Sequence, residues 1–188
     1  MAVITITREM AAGGKELGQL LAKRLDYQYV DKSLFQDIAE DLNISKGTLI
    51  SFEEKRRYEG YVRNVVRDEE YKKSLECLLL GTARKDNVVI IGRAAYCFLK
   101  DMKNCCHIRL VAPMDWRKKY ALENYKISPD RVQKFIEKGD ETRKWFRRTI
   151  CGMSFDDSSW FHLTMNMSRI SIEKAIGVIM FSVGHLSA

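Results

Sequence analysis

The chain has 188 residues, 46% of them hydrophobic, with two prolines and a formal net charge of +7. This length and composition set the expectation of one domain with a full hydrophobic core, and exclude a disordered chain. No apolar run reaches membrane-spanning length and no signal peptide pattern opens the chain, so the expectation is a cytoplasmic protein with no membrane partner, whose excess of Lys and Arg favours anionic ligands.

The first stretch, from Val3 to Gly18, organises the rest. Val3 to Ile6 is a short β-branched run that suits a buried strand. The small residues Ala11, Ala12, Gly13 and Gly14 then allow a tight turn and close approach of the backbone to a ligand. A helix follows, with Leu17, Leu20, Leu21 and Leu25 at helical spacing and Lys15 and Glu16 at its start. Strand, small-residue turn, lysine and helix is the order of a phosphate-binding loop, in which backbone N–H groups and a helix N-terminus attract the anion. The pattern G-x-x-x-x-G-K-[ST] fits at Gly14 and Lys15 only, because its first glycine falls at Glu9 and its hydroxyl at Glu16. A plain glycine turn before a surface helix is the competing reading of this stretch.

Tyr27 to Val30 forms a second short strand, with Asp31 at its end. A helix near Lys32 carries Leu34, Phe35, Ile38, Ala39 and Leu42 on one face, and a looser, charged and partly mobile helical stretch runs from Ser45 to Arg67. Tyr71, Leu75, Leu78, Leu79 and Ala83 mark another amphipathic helix. Asn87 to Ile91 is a continuous apolar strand, as in a parallel sheet covered on both faces, and it ends in Gly92-Arg93. After a short helix from Ala94 to Leu99 come a strand from His107 to Ala112 and a helix from about Asp115 to Tyr125. Ser128-Pro129-Asp130 reads as the start of a long helix ending near Arg148. Phe161 to Met165 is a fifth strand, and Ser171 caps a last helix bearing Ile172, Ala175, Ile176, Ile179 and Val183. Strands alternating with helices predict an α/β fold, a parallel sheet with helices on both faces and ligands beyond the carboxyl ends of the strands. That rim would collect the Ala11–Lys15 loop, Asp31 and Arg93.

On the helix after Pro129, the residues Val132, Phe135, Ile136, Gly139, Phe146 and Ile150 form one apolar stripe. Arg143 falls inside it, with Asp140 and Arg147 alongside. An arginine on a buried face needs a partner, and Asp140 one turn earlier is the candidate. The five cysteines, at 77, 97, 105, 106 and 151, are odd in number and lack C-x-x-C spacing, which predicts reduced thiols, with Cys105-Cys106 filling a strand. His107 and His162 sit at strand starts and read as structural.

Taken together, Ile4 to Glu9, Gly13 to Gly18, Tyr29-Val30-Asp31, Val89 to Arg93, Arg109 to Pro113, Gly139 to Arg143 and Asn166 to Ser171 resemble the nucleoside monophosphate kinases of the P-loop fold, specifically the cytidylate kinase-like family. The resemblance spans nearly the whole length. It implies a single domain over residues 1–188 with the P-loop NTPase fold, a five-stranded parallel sheet in order 2-3-1-4-5, an acceptor-binding helical region over 45–85 and a helical lid over 114–150. The implied reaction is ATP + CMP (or dCMP) to ADP + CDP, with ATP and Mg2+ as cofactors and nucleotides as partners. Residues 11–15 with Glu16 would hold the donor, and Lys15 would act in catalysis. Asp31 and Arg93 would hold the acceptor. Arg117, Arg131, Arg143 and Arg147 are the lid arginines, with Arg143, Arg147 and Asp140 closest to catalysis. Glu16 stands where a hydroxyl helps hold magnesium, so it is the candidate metal ligand. Ala11 and Ala12 replace the usual Gly and Ser, and Ala94 replaces an aspartate used on base and sugar. Kinase action on another small metabolite, or a catalytically weak nucleotide- or RNA-binding module, remain the alternatives. The absence of an aromatic-interleaved RNA signature disfavours nucleic acid. A monomer or homodimer is expected.

Overall fold

The computed structural model describes residues 2–31, 69–152 and 157–185. The helix expected near Lys32 and the charged stretch from Ser45 to Arg67 lie outside the described residues, as does most of the acceptor-binding region assigned to 45–85.

Five short strands build one sheet: β1 (Val3–Arg8), β2 (Gln28–Val30), β3 (Val88–Ile91), β4 (Cys105–Val111) and β5 (Leu163–Asn166). All pairings are parallel, in the order β2-β3-β1-β4-β5. This is the order the resemblance implied. Among the described residues the α-helices are α1 (Gly14–Leu25), α2 (Glu69–Ala83), α3 (Ala95–Phe98), α4 (Met114–Asn124), α5 (Val132–Cys151) and α6 (Ile172–His185).

Alternation along the strands assigns each residue to a face. Ile4, Ile6, Val89, Ile91, Ile108 and Leu110 face α1 and α6, where Leu17, Leu21, Ala175, Ile176 and Ile179 meet them. Val3, Val88, Ile90 and Cys105 face α2, whose Tyr71, Leu75, Leu78 and Leu79 are fully buried, and Trp145, Phe146 and Ile150 of α5 close the same side. Leu20, expected on the buried stripe of α1, is instead exposed. Ser128-Pro129-Asp130 does not start α5. It forms a turn, in which Arg131 N–H donates to the Ser128 carbonyl at 3.0 Å, and the helix begins at Val132 and runs to Cys151. Proline's fixed φ serves a turn as well as a first helical position, which is why the pattern reads both ways. Among the described residues, no helix is long and apolar enough to cross a membrane.

The cysteines differ from expectation at one pair. Cys97 of α3 and Cys151 at the end of α5 are joined by a disulfide, with Cα atoms 5.9 Å apart. Spacing alone could not reveal it, because 54 residues separate the two. Cys105 and Cys106 are buried in β4 as expected, and burial pushes their thiols up to about 12 and about 11. Cys77 is exposed. Native protein should therefore titrate with one fast-reacting thiol, since the thiolate is the reactive form; a second fast thiol without reductant would show that Cys97 and Cys151 are not paired.

His107 is buried in β4, its Nδ1 2.8 Å from Thr5 Oγ1. Its backbone N–H donates to His162 Nδ1 at 3.0 Å, and His162 N–H donates back to the His107 carbonyl at 2.8 Å. Both histidines thus stitch β4 to the segment entering β5. Burial, with His162 beside it, holds the His107 imidazolium down to about 4 from 6.5. The folded-state value lies below the unfolded one, so this contribution is full above pH 6.5 and fades as pH falls towards about 4. Over that interval His107→Gln should show a flatter stability curve than the wild type, by up to about 3 kcal/mol in chemical denaturation. Parallel curves would contradict the assignment.

Candidate active site

The turn after β1 is buried from Ala11 to Gly14, with Ala11 at φ 61° and Gly13 at φ 73°. Such turns direct successive N–H groups inward and suit anions. The first turn of α1 carries no side-chain cap, so its N–H groups add to the same concavity. Lys15 and Glu16 follow at the exposed rim. Tyr120 of α4 donates its hydroxyl to Glu16 Oε2 at 3.0 Å. Burial, then this carboxylate, raises the Tyr120 phenol above its ordinary range.

The turn is held by charges that its missing glycine would not suggest. Glu9 accepts from Ala112 N–H at 2.9 Å, beyond the end of β4. Asp140 of α5 accepts from Met10 N–H at 2.6 Å and from the Arg117 guanidinium. Arg117 is buried, also donates to the Met10 carbonyl at 3.3 Å, and its Nε lies 3.7 Å from Glu9. The sequence assigned Asp140 to Arg143; in the structure Asp140 holds Arg117 and the loop backbone. Helical spacing identified the acid but not a partner 23 residues away. Arg117, expected as a lid arginine, reaches beneath the turn to Asp140, Glu9 and the Met10 carbonyl.

Asp31 and Arg93, expected on the acceptor side, stand beyond the ends of β2 and β3. Asp31 follows β2 and, after the effect of burial, raises the Tyr29 phenol both by its charge and by a hydrogen bond. Beyond β3 three residues in succession have left-handed backbone: Gly92 at φ 78°, Arg93 at φ 57° and Ala94 at φ 53°. The two non-glycine residues each cost about 1–2 kcal/mol in this region, and strain of this kind is concentrated at functional sites. Because β2, β3 and β1 are neighbours, Asp31, Arg93 and the small-residue turn line one rim.

Arg143 of α5 donates to Met10 Sδ at 2.7 Å and to the Gly139 carbonyl at 3.2 Å. Arg147 is buried, and its guanidinium is lowered to about 10, first by burial and then by the opposing charges of Arg143 and Arg109, with Tyr96 and Asp140 easing it. Arg109 of β4 lies with its guanidinium carbon 6.0 Å from the Phe161 ring centroid. Arg131 is exposed beside Asp130, away from this cluster. A fourth member was not predicted: Arg8, the last residue of β1, is lowered to about 10 by burial and by Arg143 and Arg147. Its only signal was a basic residue directly ending an apolar strand at the ligand-binding edge.

A small-residue turn at the first helix, Asp31 and Arg93 on adjacent strand ends and the arginines of α5 are carried on a P-loop fold. The chain belongs to the cytidylate kinase-like family, whose sequence profile matches residues 3–169. No functionally curated protein matches it in sequence. Among solved structures, an uncharacterized protein from Eubacterium ventriosum is similar over 98% of this chain and 99% of its own, at 18% identity and a TM-score of 0.75. Shikimate kinase from Bacteroides thetaiotaomicron is similar over 97% and 98%, at 20% identity and 0.56. Shikimate kinase from Acinetobacter baumannii, solved with shikimate, is similar over 96% and 91%, at 14% identity and 0.53. At these identities the likeness shows the shared fold.

Removing Asp140 should loosen the cradle. Asp140→Ala leaves a buried guanidinium and the Met10 N–H short of an acceptor, and should lower stability by about 1–3 kcal/mol. Arg143→Ala, which frees no buried carboxylate of this network, should cost less. Equal losses in denaturant midpoints would show that Asp140 is not the brace.

Proposed function

We propose that this protein is a nucleoside monophosphate kinase-like phosphotransferase that moves the γ-phosphoryl of ATP to CMP or dCMP. The observation that carries the reading is the row of Ala11–Lys15, Arg93 and Asp31 along three neighbouring strand ends, with Arg143 and Arg147 of α5 beside it. Donor phosphates would lie on the turn and the N-terminus of α1, with Lys15 adding a point charge. Arg93 would grip the acceptor phosphate, and Asp31 its nucleoside. An acceptor phosphate oxygen, already deprotonated near neutral pH, attacks the γ-phosphorus. The bond from that phosphorus to the β–γ bridging oxygen breaks, and its electron pair leaves on ADP. The protein's contribution is position and positive charge, and no side-chain nucleophile is required.

Among the described residues, no group of three metal-ligating side chains is assembled. Mg2+ normally binds through one or two carboxylates plus substrate phosphates, and Glu16, exposed at the start of α1, fits that role. When bound, the ion would neutralise phosphate charge.

A second acceptor class keeps the same site. Ala94 stands where an aspartate would read base and sugar, which favours a small phosphorylated or hydroxylated metabolite as the alternative acceptor. ADP release measured across CMP, dCMP, UMP, AMP, GMP and non-nucleotide acceptors separates the two. Silence with every nucleotide would remove the first reading.

Two variants test the division of labour. Lys15→Ala removes a charge-assisted contact and should weaken ATP binding by about tenfold or more. Arg93→Lys loses bidentate geometry and should raise the acceptor KM while leaving the ATP KM nearly unchanged. Loss of both affinities in Arg93→Lys would show that the two subsites are not separate.

A further inference from the structure

The unexplained feature of the site is Arg8. Its aliphatic stem runs beneath the start of α1: a Cβ placed on Gly14 would lie 2.8 Å from Arg8 Cγ and 3.2 Å from its Cδ. Its guanidinium reaches the turn after β3, where a Cβ on Gly92 would collide with Arg8 Nη1. One side chain therefore spans the distance from the small-residue cradle to the turn that carries Arg93. Glycine at both places leaves it room.

Arg8 is half-buried, and its surroundings are unlike those of Arg117, the buried arginine of the loop. Arg117 has Asp140 and Glu9. Among the described residues, the charges that act on Arg8 are those of Arg143 and Arg147, which oppose it, and of Tyr29 and Tyr125, which ease it; no carboxylate is among them. Glu9, its neighbour in sequence, turns instead to Ala112 and Arg117. A buried cation among other cations is costly unless an anion joins it. Among the described residues that anion is present for Arg117, and none is present for Arg8.

We infer that Arg8 is an anion-binding residue whose counter-ion is a phosphate group of the ligand, held at the junction between the donor cradle and the acceptor turn and shared with Arg143 and Arg147. A planar guanidinium suits two oxygens of one phosphate. The placement between donor and acceptor rests on the kinase reading above, where it would put Arg8 beside the phosphoryl group in transit. The anion binding itself does not rest on that reading.

The test uses the full chain and inorganic tripolyphosphate. Binding is measured by titration calorimetry for the wild type, Arg8→Met and Arg8→Lys, and each protein is melted without added anion. Arg8→Met keeps the stem and removes the charge. It should melt at or above the wild-type temperature, because an uncompensated buried charge has gone, and should bind tripolyphosphate on the order of tenfold more weakly or worse. Arg8→Lys should also bind more weakly, through loss of the paired contacts. Binding is the deciding arm. Unchanged tripolyphosphate affinity in Arg8→Met, or a wild type that does not bind it, overturns the proposal. If Arg8→Met does not fold, Arg8→Lys decides: weakened binding at an unchanged melting temperature supports the proposal, and unchanged binding overturns it. Arg8-dependent binding in a protein that releases no ADP with any acceptor would remove the kinase reading and leave this anion site standing.

Discussion

The site depends on one buried guanidinium. Arg117 leaves α4, enters the space beneath the loop and meets Asp140 of α5, Glu9 and the Met10 carbonyl. Three elements from distant parts of the chain thus share a single charge network. A buried pair of this kind adds little net stability over an apolar replacement, yet breaking one half is costly. Its value lies in fixing geometry. The loop lacks the first glycine of a standard phosphate-binding turn, and Glu9 at that place ties the backbone to the end of β4 instead. The same network anchors α5 where Met10 passes Gly139, at which a Cβ would lie 2.7 Å from Met10 Cγ.

The remaining arginines follow a different electrostatic rule. Arg8 and Arg147 are both lowered to about 10, first by burial and then by the nearby charge of Arg143. Crowding like charges in a partly desolvated cleft raises the energy of the empty site and attracts anions from solution. The left-handed residues Arg93 and Ala94 add backbone strain at the same rim. Left-handed backbone and clustered arginines thus meet at one edge of the sheet.

Most of the architecture could be read from the chain. Val3–Ile6, Val88–Ile91 and the stripe of Tyr71, Leu75, Leu78 and Leu79 behave as their periodicity requires, because burial on a sheet face or helix face repeats locally. The strand order came from the resemblance and is the order found. What escaped was long-range. Asp140 was recognised, but its partner lies on another helix. Arg8 carried no periodic signal, since its role arises only where Gly14 and Gly92 approach it in space. The Ser128-Pro129-Asp130 turn shows the limit of local punctuation, as the same residues suit a turn and a helix start.

The bridge between Cys97 and Cys151 makes residues 97 to 151 a closed covalent ring. That ring contains β4, a strand hydrogen-bonded on both sides, together with α4 and α5. A backbone cut anywhere inside it yields two fragments that remain one molecule until a thiol reductant is added. The arginine-bearing helix is consequently held to the sheet by topology as well as by packing, and its last turn stays beside α3 even when the contacts around it open.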